Sequence, residues 1–328
     1  MLPFFNDNNF NFCKGAAIIN KVIFILFVVL FIGCQDNFDD TFHPTVSGRI
    51  VNYNNSGELN VIDVSTKNSI SYGRPYTSTR PVWSFDGTKF ATFEKVDNSQ
   101  PDSPYYSVKI VDAEQNTVTN WRIGEDYKAA KGDLTWSPDG NTIAFLQGRN
   151  IVYLNTLNGD TTITNFSLAD SLNIYAIAWH PSKEKIALCV TYIHINPSGG
   201  FIDSTNNSIF LMNPYANNLE NLIPIGNYGK QWDNYIPSHL DWNFDGSMLL
   251  LSRYEDKILI MNVEEGEIKP IPDIWGNSAC WSTDGEYILF QKKHWSSMNS
   301  ATDNFYITTI EGSSKYLLMK GSGLVDWY

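Results

Sequence analysis

Apolar runs of four or five residues recur along the chain, and each follows a tryptophan and a short polar turn. In four of the five copies the turn ends in Asp-Gly. An Asp-Gly pair between two apolar runs favours a β-hairpin, because glycine accepts a positive φ and aspartate hydrogen-bonds to its own turn. The pattern therefore predicts five hairpins, which begin at Trp83, Trp136, Trp179, Trp242 and Trp281.

A third apolar run follows each hairpin, and a polar turn leads from it to a shorter fourth run. Residues 107–112 and 257–261 are examples of the third run, and residues 116–121 and 267–271 of the fourth. Four strands in a unit that repeats form the blade of a β-propeller. The sequence thus predicts an all-β chain with four antiparallel strands per blade.

The two ends of this region complement each other. Residues 48–53 and 59–64 have the pattern of a second and a third strand without a tryptophan strand before them, whereas residues 323–328 have the pattern of a tryptophan strand without a hairpin after it. Joining them predicts a six-bladed β-propeller over residues 46–328, with about 47 residues per blade. The first blade would be closed by the C-terminal strand, which removes an exposed sheet edge.

The repeat resembles that of the TolB-like, WD-related β-propellers, whose core is roughly Trp-Ser-Pro-Asp-Gly-x-x-Ile-Ala-Phe. Residues 136–145 match this consensus most fully, and the five copies cover most of residues 79–319. The resemblance implies the propeller fold. It does not extend to the folded domain that precedes the blades in TolB, so the partnership of TolB with the Pal lipoprotein is not implied.

The N-terminal segment has a different pattern. Two lysines precede an unbroken apolar run of eleven residues, 22–32, which is followed by Gly33 and Cys34. Spanning a bilayer takes about 20 apolar residues, whereas the core of a signal peptide takes about 7–15. The order of apolar core, glycine and cysteine resembles a bacterial lipobox, although Phe31 stands where leucine is usual. An ordinary signal peptide with an incidental cysteine is the alternative.

The lipobox resemblance implies a lipoprotein signal peptide over residues 1–33 and lipidation of Cys34. Residues 34–45 would be a flexible acidic linker. Its Gln-Asp-Asn-Phe-Asp-Asp stretch at 35–40 resembles the export tag of surface-exposed lipoproteins in Bacteroidetes-type bacteria. We therefore expect a protein anchored by lipid in the outer membrane, with a periplasmic and a cell-surface orientation both open.

The net charge of the chain and the motifs that it lacks narrow the classes of function that fit the sequence. The chain has 35 acidic and 23 basic residues, and this excess of negative charge disfavours nucleic acid as a partner. The four cysteines include no CxxC pair, which disfavours a zinc site or a disulfide scaffold. GxSxG, HExxH, P-loop and GxGxxG motifs are also missing. The sequence therefore predicts no catalytic residue, no metal and no cofactor.

A ligand site in a propeller forms where the innermost strands converge near the axis. Counting three residues back from each tryptophan gives Arg80, Asp133 and His239 as the candidate ligand-binding residues at the strand starts. Solvent-exposed strand ends without a role are the alternative. The irregular insertions at 96–106 and 191–207 both fall between a second and a third strand, and the latter could cover that mouth.

These observations predict a binding or scaffold module for an envelope protein, peptide or glycan. The alternative is a carbohydrate-active lyase or hydrolase with an axial active site, which requires histidine and acidic side chains that converge on one mouth. The repeated turn aspartates, by contrast, are expected to form turns rather than a site. They are Asp86, Asp139, Asp245 and Asp284.

Overall fold

A computed structural model of the chain describes residues 42–54, 56–75, 79–96, 105–124, 133–164, 172–182, 184–195, 202–216, 223–227, 236–253, 256–297, 300–312 and 314–328. These residues all belong to one compact unit. Their regular structure is entirely β-strand, as the sequence predicts. No helix in these ranges is long and apolar enough to cross a membrane. The predicted signal peptide and Cys34 lie outside them.

The strands follow one another through short turns and loops. In chain order they are β1 (Arg49–Tyr53), β2 (Leu59–Asp63), β3 (Ser69–Ser71), β4 (Val82–Trp83), β5 (Lys89–Val96), β6 (Tyr105–Asp112), β7 (Thr117–Gly124), β8 (Leu134–Trp136), β9 (Thr142–Gln147), β10 (Asn150–Asn155), β11 (Thr161–Thr164), β12 (Leu172–Trp179), β13 (Ile186–Ile195), β14 (Ile202–Met212), β15 (Ile223–Asn227), β16 (His239–Trp242), β17 (Met248–Ser252), β18 (Asp256–Asn262), β19 (Glu267–Trp281), β20 (Ile288–Ser297), β21 (Ser300–Thr308), β22 (Lys315–Lys320) and β23 (Leu324–Trp327).

The strands form antiparallel sheets in a propeller-like arrangement. Four sheets have four strands each, in the orders β23-β1-β2-β3, β4-β5-β6-β7, β8-β9-β10-β11 and β12-β13-β14-β15. The fifth runs from β16 to β22 and contains two four-stranded sets that share β19. The pairing of β19 changes from β18 to β20 between Gly276 and Asn277. The C-terminal strand β23 pairs with β1, with Val51 opposite Asp326.

The Asp-Gly turns adopt the predicted conformation. In the first copy, Oδ1 of Asp86 accepts hydrogen bonds from Ser84 Oγ at 2.6 Å and from the Thr88 backbone N–H at 3.0 Å. Gly87 has a φ of 67°, which a side chain would strain. Asp139 accepts the same pair of bonds in the second copy. The prediction that these aspartates form turns is confirmed.

The tryptophan occupies the same position in each copy of the repeat, and its ring lies between neighbouring sheets. Trp83 packs against Val51 and Leu59 of the preceding sheet. Trp136 packs in the same way against Phe93 and Val108. Each tryptophan therefore contributes a large buried apolar surface to the junction between two sheets.

The insertion at 191–207 is more regular than the sequence suggests. Strands β13 and β14 pair from Ile186 opposite Met212 to Ile195 opposite Ile202, so the hairpin continues through most of it. Backbone pairing therefore extends beyond the apolar part of these two strands. Its tip at 196–201, like residues 97–104 of the other insertion, lies outside the described residues.

Candidate functional site

A cavity of about 500 Å³ lies where the tryptophan ends of the innermost strands converge. This volume is within the ~300–1,000 Å³ typical of small-ligand pockets. The wall contains a tryptophan from each of six inner strands, β4, β8, β12, β16, the end of β19 and β23. These residues are Trp83, Trp136, Trp179, Trp242, Trp281 and Trp327.

The rim of the cavity is formed by residues one or two positions after the tryptophans. Phe85 and Phe244 occupy the same turn position in two copies of the repeat, and both line the cavity. Phe244 exposes 72% of its surface and Phe85 exposes 37%. Pro181 and Tyr328 extend the same rim. The cavity therefore opens at the hairpin turns through a partly exposed aromatic and apolar ring.

Arg80 lies in the cavity lining directly before β4, and its side chain is only 2% exposed. Its Nη2 donates to Oδ1 of Asp326 at 2.6 Å and to Oδ1 of Asp241 at 3.2 Å. Its Nε donates to the carbonyl oxygen of Val325 and its Nη1 to that of Leu240. The guanidinium thus ties β4 to β16 and β23, and its donors are occupied by the protein.

The two carboxylates beside Arg80 also join neighbouring sheets. The second oxygen of Asp326 accepts the backbone N–H of Trp83 at 2.7 Å, and that of Asp241 accepts the backbone N–H of Trp281 at 2.8 Å. The side chain of Asp326 is 9% exposed and that of Asp241 is 23% exposed. Burial raises the pKa of Asp241 to about 7, although Arg80 opposes the shift. Asp241 is therefore the more accessible acid at this site.

Asp133 and His239 pair with each other beside this arrangement, and the charge of Asp133 helps to raise the pKa of Arg80. Oδ1 of Asp133 is 3.6 Å from Nδ1 of His239, and neither residue lines the cavity. Within the described residues, Oδ2 of Asp133 and Nδ1 of His239 have no hydrogen-bond partner. Of the three predicted candidates, the structure thus brings Asp133 and His239 together and places Arg80 separately in the cavity lining.

The alternative interpretation of the sequence is that the strand starts are solvent-exposed ends without a role, but two of them are buried. Arg80 is 3% exposed and Asp133 is 7% exposed, so these two are not solvated strand ends. Strands β5 and β13 run antiparallel to β4 and β12, so both insertions leave the blades at the ends opposite to the hairpin turns. The described ends of the two insertions therefore lie away from the aromatic rim, where the cavity opens.

Sequence reasoning missed Asp241 and Asp326, because it examined the position three residues before each tryptophan. Both residues stand directly before the tryptophan, at Asp241-Trp242 and Asp326-Trp327. The same Asp-Trp pair at the same point of two copies is a signal that could have revealed them. The pairing with Arg80 has no local signal, because the partners are 161 and 246 residues away in sequence.

The residue type before the tryptophan alternates from one sheet to the next. Asp326, Thr135 and Asp241 each accept the backbone N–H of the tryptophan in the next sheet. In the intervening strands this position holds Val82, Ala178 and Cys280.

The indole groups follow the same alternation. The indole N–H of Trp136 donates to the Val82 carbonyl at 3.0 Å, and that of Trp242 donates to the Ala178 carbonyl at 3.2 Å. The indole of Trp327 donates to the carbonyl of Ser47. The other three indole nitrogens are buried without a hydrogen-bond partner among the described residues. They belong to Trp83, Trp179 and Trp281.

Metal ligands do not assemble in the described part of the chain. No group of three or more histidine, cysteine, aspartate or glutamate side chains there could hold a metal ion. Cys189 and Cys280 are both buried, and neither forms a disulfide. Among the described residues, the histidine and acid that come together are His239 and Asp133.

Comparison with solved structures identifies the architecture. TolB from Acinetobacter baumannii superposes with a TM-score of 0.58 at 14% identity, over 85% of this chain and 66% of its own. The fold is that of a TolB-like β-propeller. The nidogen/laminin complex gives a TM-score of 0.56 at 9% identity, over 85% of this chain and 98% of that one. Oligogalacturonate lyase in complex with manganese gives a TM-score of 0.50 at 14% identity, over 83% of this chain and 77% of that one.

Sequence comparison is less specific. No family model matches the chain. One curated relative, the uncharacterized peptidase YuxL of Bacillus subtilis (strain 168), is 23% identical over 223 residues. The match covers 65% of this chain and 29% of that protein, so this chain corresponds to less than a third of its relative.

Proposed function

We propose that the protein is a binding module of the bacterial envelope, anchored by lipid, which captures an envelope protein, peptide or glycan at its axial cavity. The observation that carries this proposal is the 500 Å³ cavity with an exposed aromatic rim. Aromatic side chains that surround a concave site are typical of binding surfaces. A structure described as a nidogen/laminin complex has the same fold, which supports a role in protein binding.

The proposal includes a ring of six blades closed by the C-terminal strand. Its support is the set of six tryptophan-bearing inner strands, the strand β19 shared by two four-stranded sets, and the pairing of β23 with β1. A closed ring holds the five hairpin turns and Tyr328 at fixed positions. Binding specificity would then depend on rim side chains rather than on movement of the blades.

Replacing both Phe85 and Phe244 by serine is expected to abolish ligand capture without unfolding the protein, because these side chains are exposed at the rim. Truncation of anchor residues at an interface costs about 2 kcal/mol or more each, roughly 30-fold in affinity. The measurement is quantitative cross-linking to envelope proteins, together with binding to an array of peptides and glycans. The control is Leu157→Ser, which changes a 74% exposed apolar residue that does not line the cavity.

Two outcomes contradict the proposal. If the double variant captures as much ligand as the wild type, the rim is not the binding site. If the wild type degrades a polysaccharide and a chelator stops the reaction, the enzyme alternative replaces the binding module.

Lipidation is tested at Cys34, which directly follows the apolar run and Gly33. Replacing Cys34 by alanine is expected to abolish metabolic labelling with palmitate and to release the protein from the outer membrane. Cys13→Ala is the matched control, because Cys13 precedes the apolar run. Labelling of the Cys34 variant at the wild-type level rules out this anchor. Protease treatment of intact cells separates a cell-surface from a periplasmic orientation.

A further inference from the structure

We infer that the axial cavity receives a cationic group, the ammonium or guanidinium of a basic side chain on a peptide or protein partner. This inference rests on the proposed function, since it assumes that ligands enter the cavity. It adds the chemical class of the group that is recognised, and it follows from the charges, contacts and exposures of the lining residues.

The cavity lining is acidic. Its charged residues are Arg80, Asp241, Asp245 and Asp326, so three carboxylates face one guanidinium. No lysine, histidine or glutamate joins them in the described lining. Asp245 belongs to a rim turn, while Arg80, Asp241 and Asp326 form one ion-paired cluster. With both of its aspartates ionised, this cluster carries one uncompensated negative charge.

Arg80 is not placed to bind an anionic ligand. Its side chain is 2% exposed, and it donates to two carboxylates and two backbone carbonyls. A guanidinium has five N–H donors, so the protein already occupies most of them. An anion in the cavity would lie close to carboxylates. It could not reach the guanidinium of Arg80, which is the positive group among the described lining residues.

Asp241 is placed to accept a hydrogen bond from a ligand. Its side chain is 23% exposed, whereas Asp326 is 9% exposed. Each oxygen of Asp241 accepts one protein donor, and a carboxylate oxygen has lone pairs for a second. A cation here balances the excess charge of the cluster, and a neutral ligand does not. Opposite charges attract strongly where protein replaces water around them.

The apolar part of the cavity suits the side chain that carries such a cation. The side chains of lysine and arginine have apolar stems that pack against apolar surface while the charged end reaches a partner. Here the tryptophan wall and the rim residues Phe85 and Phe244 line the same cavity as the acidic cluster. Aromatic rings also attract cations directly. Both features favour a basic side chain over a free inorganic cation.

Binding of a cation at Asp241 is coupled to its ionisation. Burial raises the pKa of this carboxyl to about 7, and a cation beside it favours the ionised form. The groups that face it are Arg80, which lowers this pKa, and Asp326, which raises it; the buried Cys280 thiol lies near the same cluster. Affinity for a cation should therefore rise as pH increases through 7.

The experiment compares two probes of nearly equal shape, N-acetyl-arginine amide and N-acetyl-citrulline amide, which differ in charge. Binding to the full-length protein is measured by titration calorimetry and by tryptophan fluorescence at pH 8 with EDTA present. We expect the arginine probe to bind at least tenfold more tightly. Asp241→Asn should reduce arginine binding to the citrulline level. The control Asp160→Asn makes the same charge change at an exposed turn and should have no effect.

A pH series on the wild type gives a second measurement that does not depend on a variant. Between pH 6 and pH 8 the arginine probe is expected to bind about tenfold more tightly, as Asp241 ionises, while citrulline binding stays constant. Equal binding of the two probes, binding of neither, or arginine binding that does not change with pH overturns the inference.

The double variant at Phe85 and Phe244 distinguishes failure of the cation inference from failure of the proposed function. If Phe85→Ser with Phe244→Ser abolishes ligand capture but the two probes bind alike, the cavity is a binding site without a preference for cations. If the same variant captures its ligand normally, the proposed site itself is wrong.

Discussion

Deletion of residues 324–328 is expected to unfold the protein or to lower its free energy of unfolding by several kcal/mol. The deletion removes β23 and leaves β1 with an unpaired edge, because β23 is the neighbour of β1 opposite to β2. It also removes Val325 and Trp327, which are 0% and 6% exposed. Loss of one buried tryptophan alone costs about 3–5 kcal/mol, a large part of the roughly 5–15 kcal/mol of a typical domain.

Chemical denaturation followed by circular dichroism measures this effect. Leu317→Ala is the control, since Leu317 lies on the outermost strand β22 and is 40% exposed. It should change the free energy of unfolding by less than about 1 kcal/mol. If the truncated protein unfolds at the wild-type denaturant concentration, the C-terminal strand does not close the ring.

Replacing Arg80 by methionine is expected to lower the free energy of unfolding by about 3–5 kcal/mol, because it leaves Asp241 and Asp326 buried without their cation. The loss should be smaller at pH 5 than at pH 8. Burial raises the pKa of both carboxyls, and protonation at the lower pH removes the charge that lacks a partner. Denaturation at the two pH values measures both effects.

Arg74→Met provides the matched control for the Arg80 variant. Arg74 pairs with Glu58 at 3.2 Å, but its side chain is 57% exposed, and exposed ion pairs contribute about 0–1 kcal/mol. A second variant in which methionine replaces Arg80 and asparagine replaces both aspartates should recover part of the loss. If Arg80→Met costs no more than Arg74→Met at pH 8, the central ion pairs do not stabilise the fold.

The parts of the fold that the sequence predicts are those set by local interactions. The hairpin turns are fixed within a few residues by an aspartate and a glycine with positive φ, as at Asp86 and Gly87. The degenerate copy at His180 keeps a related turn, because the imidazole Nδ1 accepts the N–H of Ser182 at 3.1 Å. A repeat makes such signals reliable, since one weak copy is supported by the others.

The candidate site is less predictable because it is assembled from distant parts of the chain. Arg80 was found by its place near the start of an inner strand, but its partners Asp241 and Asp326 come from other copies of the repeat. Counting along one strand cannot show which side chains meet across an axis. Which aspartate a ligand can reach also depends on burial. Asp241 and Asp326 occupy equivalent positions before a tryptophan, but their side chains are 23% and 9% exposed.

The alternating junctions between sheets limit how this propeller can be altered. An oxygen-bearing side chain before one tryptophan, as at Asp326 and Thr135, is followed in the next strand by an apolar residue such as Val82. In the proposed closed ring of six blades, adding or deleting one blade would place two junctions of the same kind side by side, and the alternation could not close. Two consecutive blades are therefore the smallest exchangeable module, both for gene duplication and for the construction of chimaeric rings.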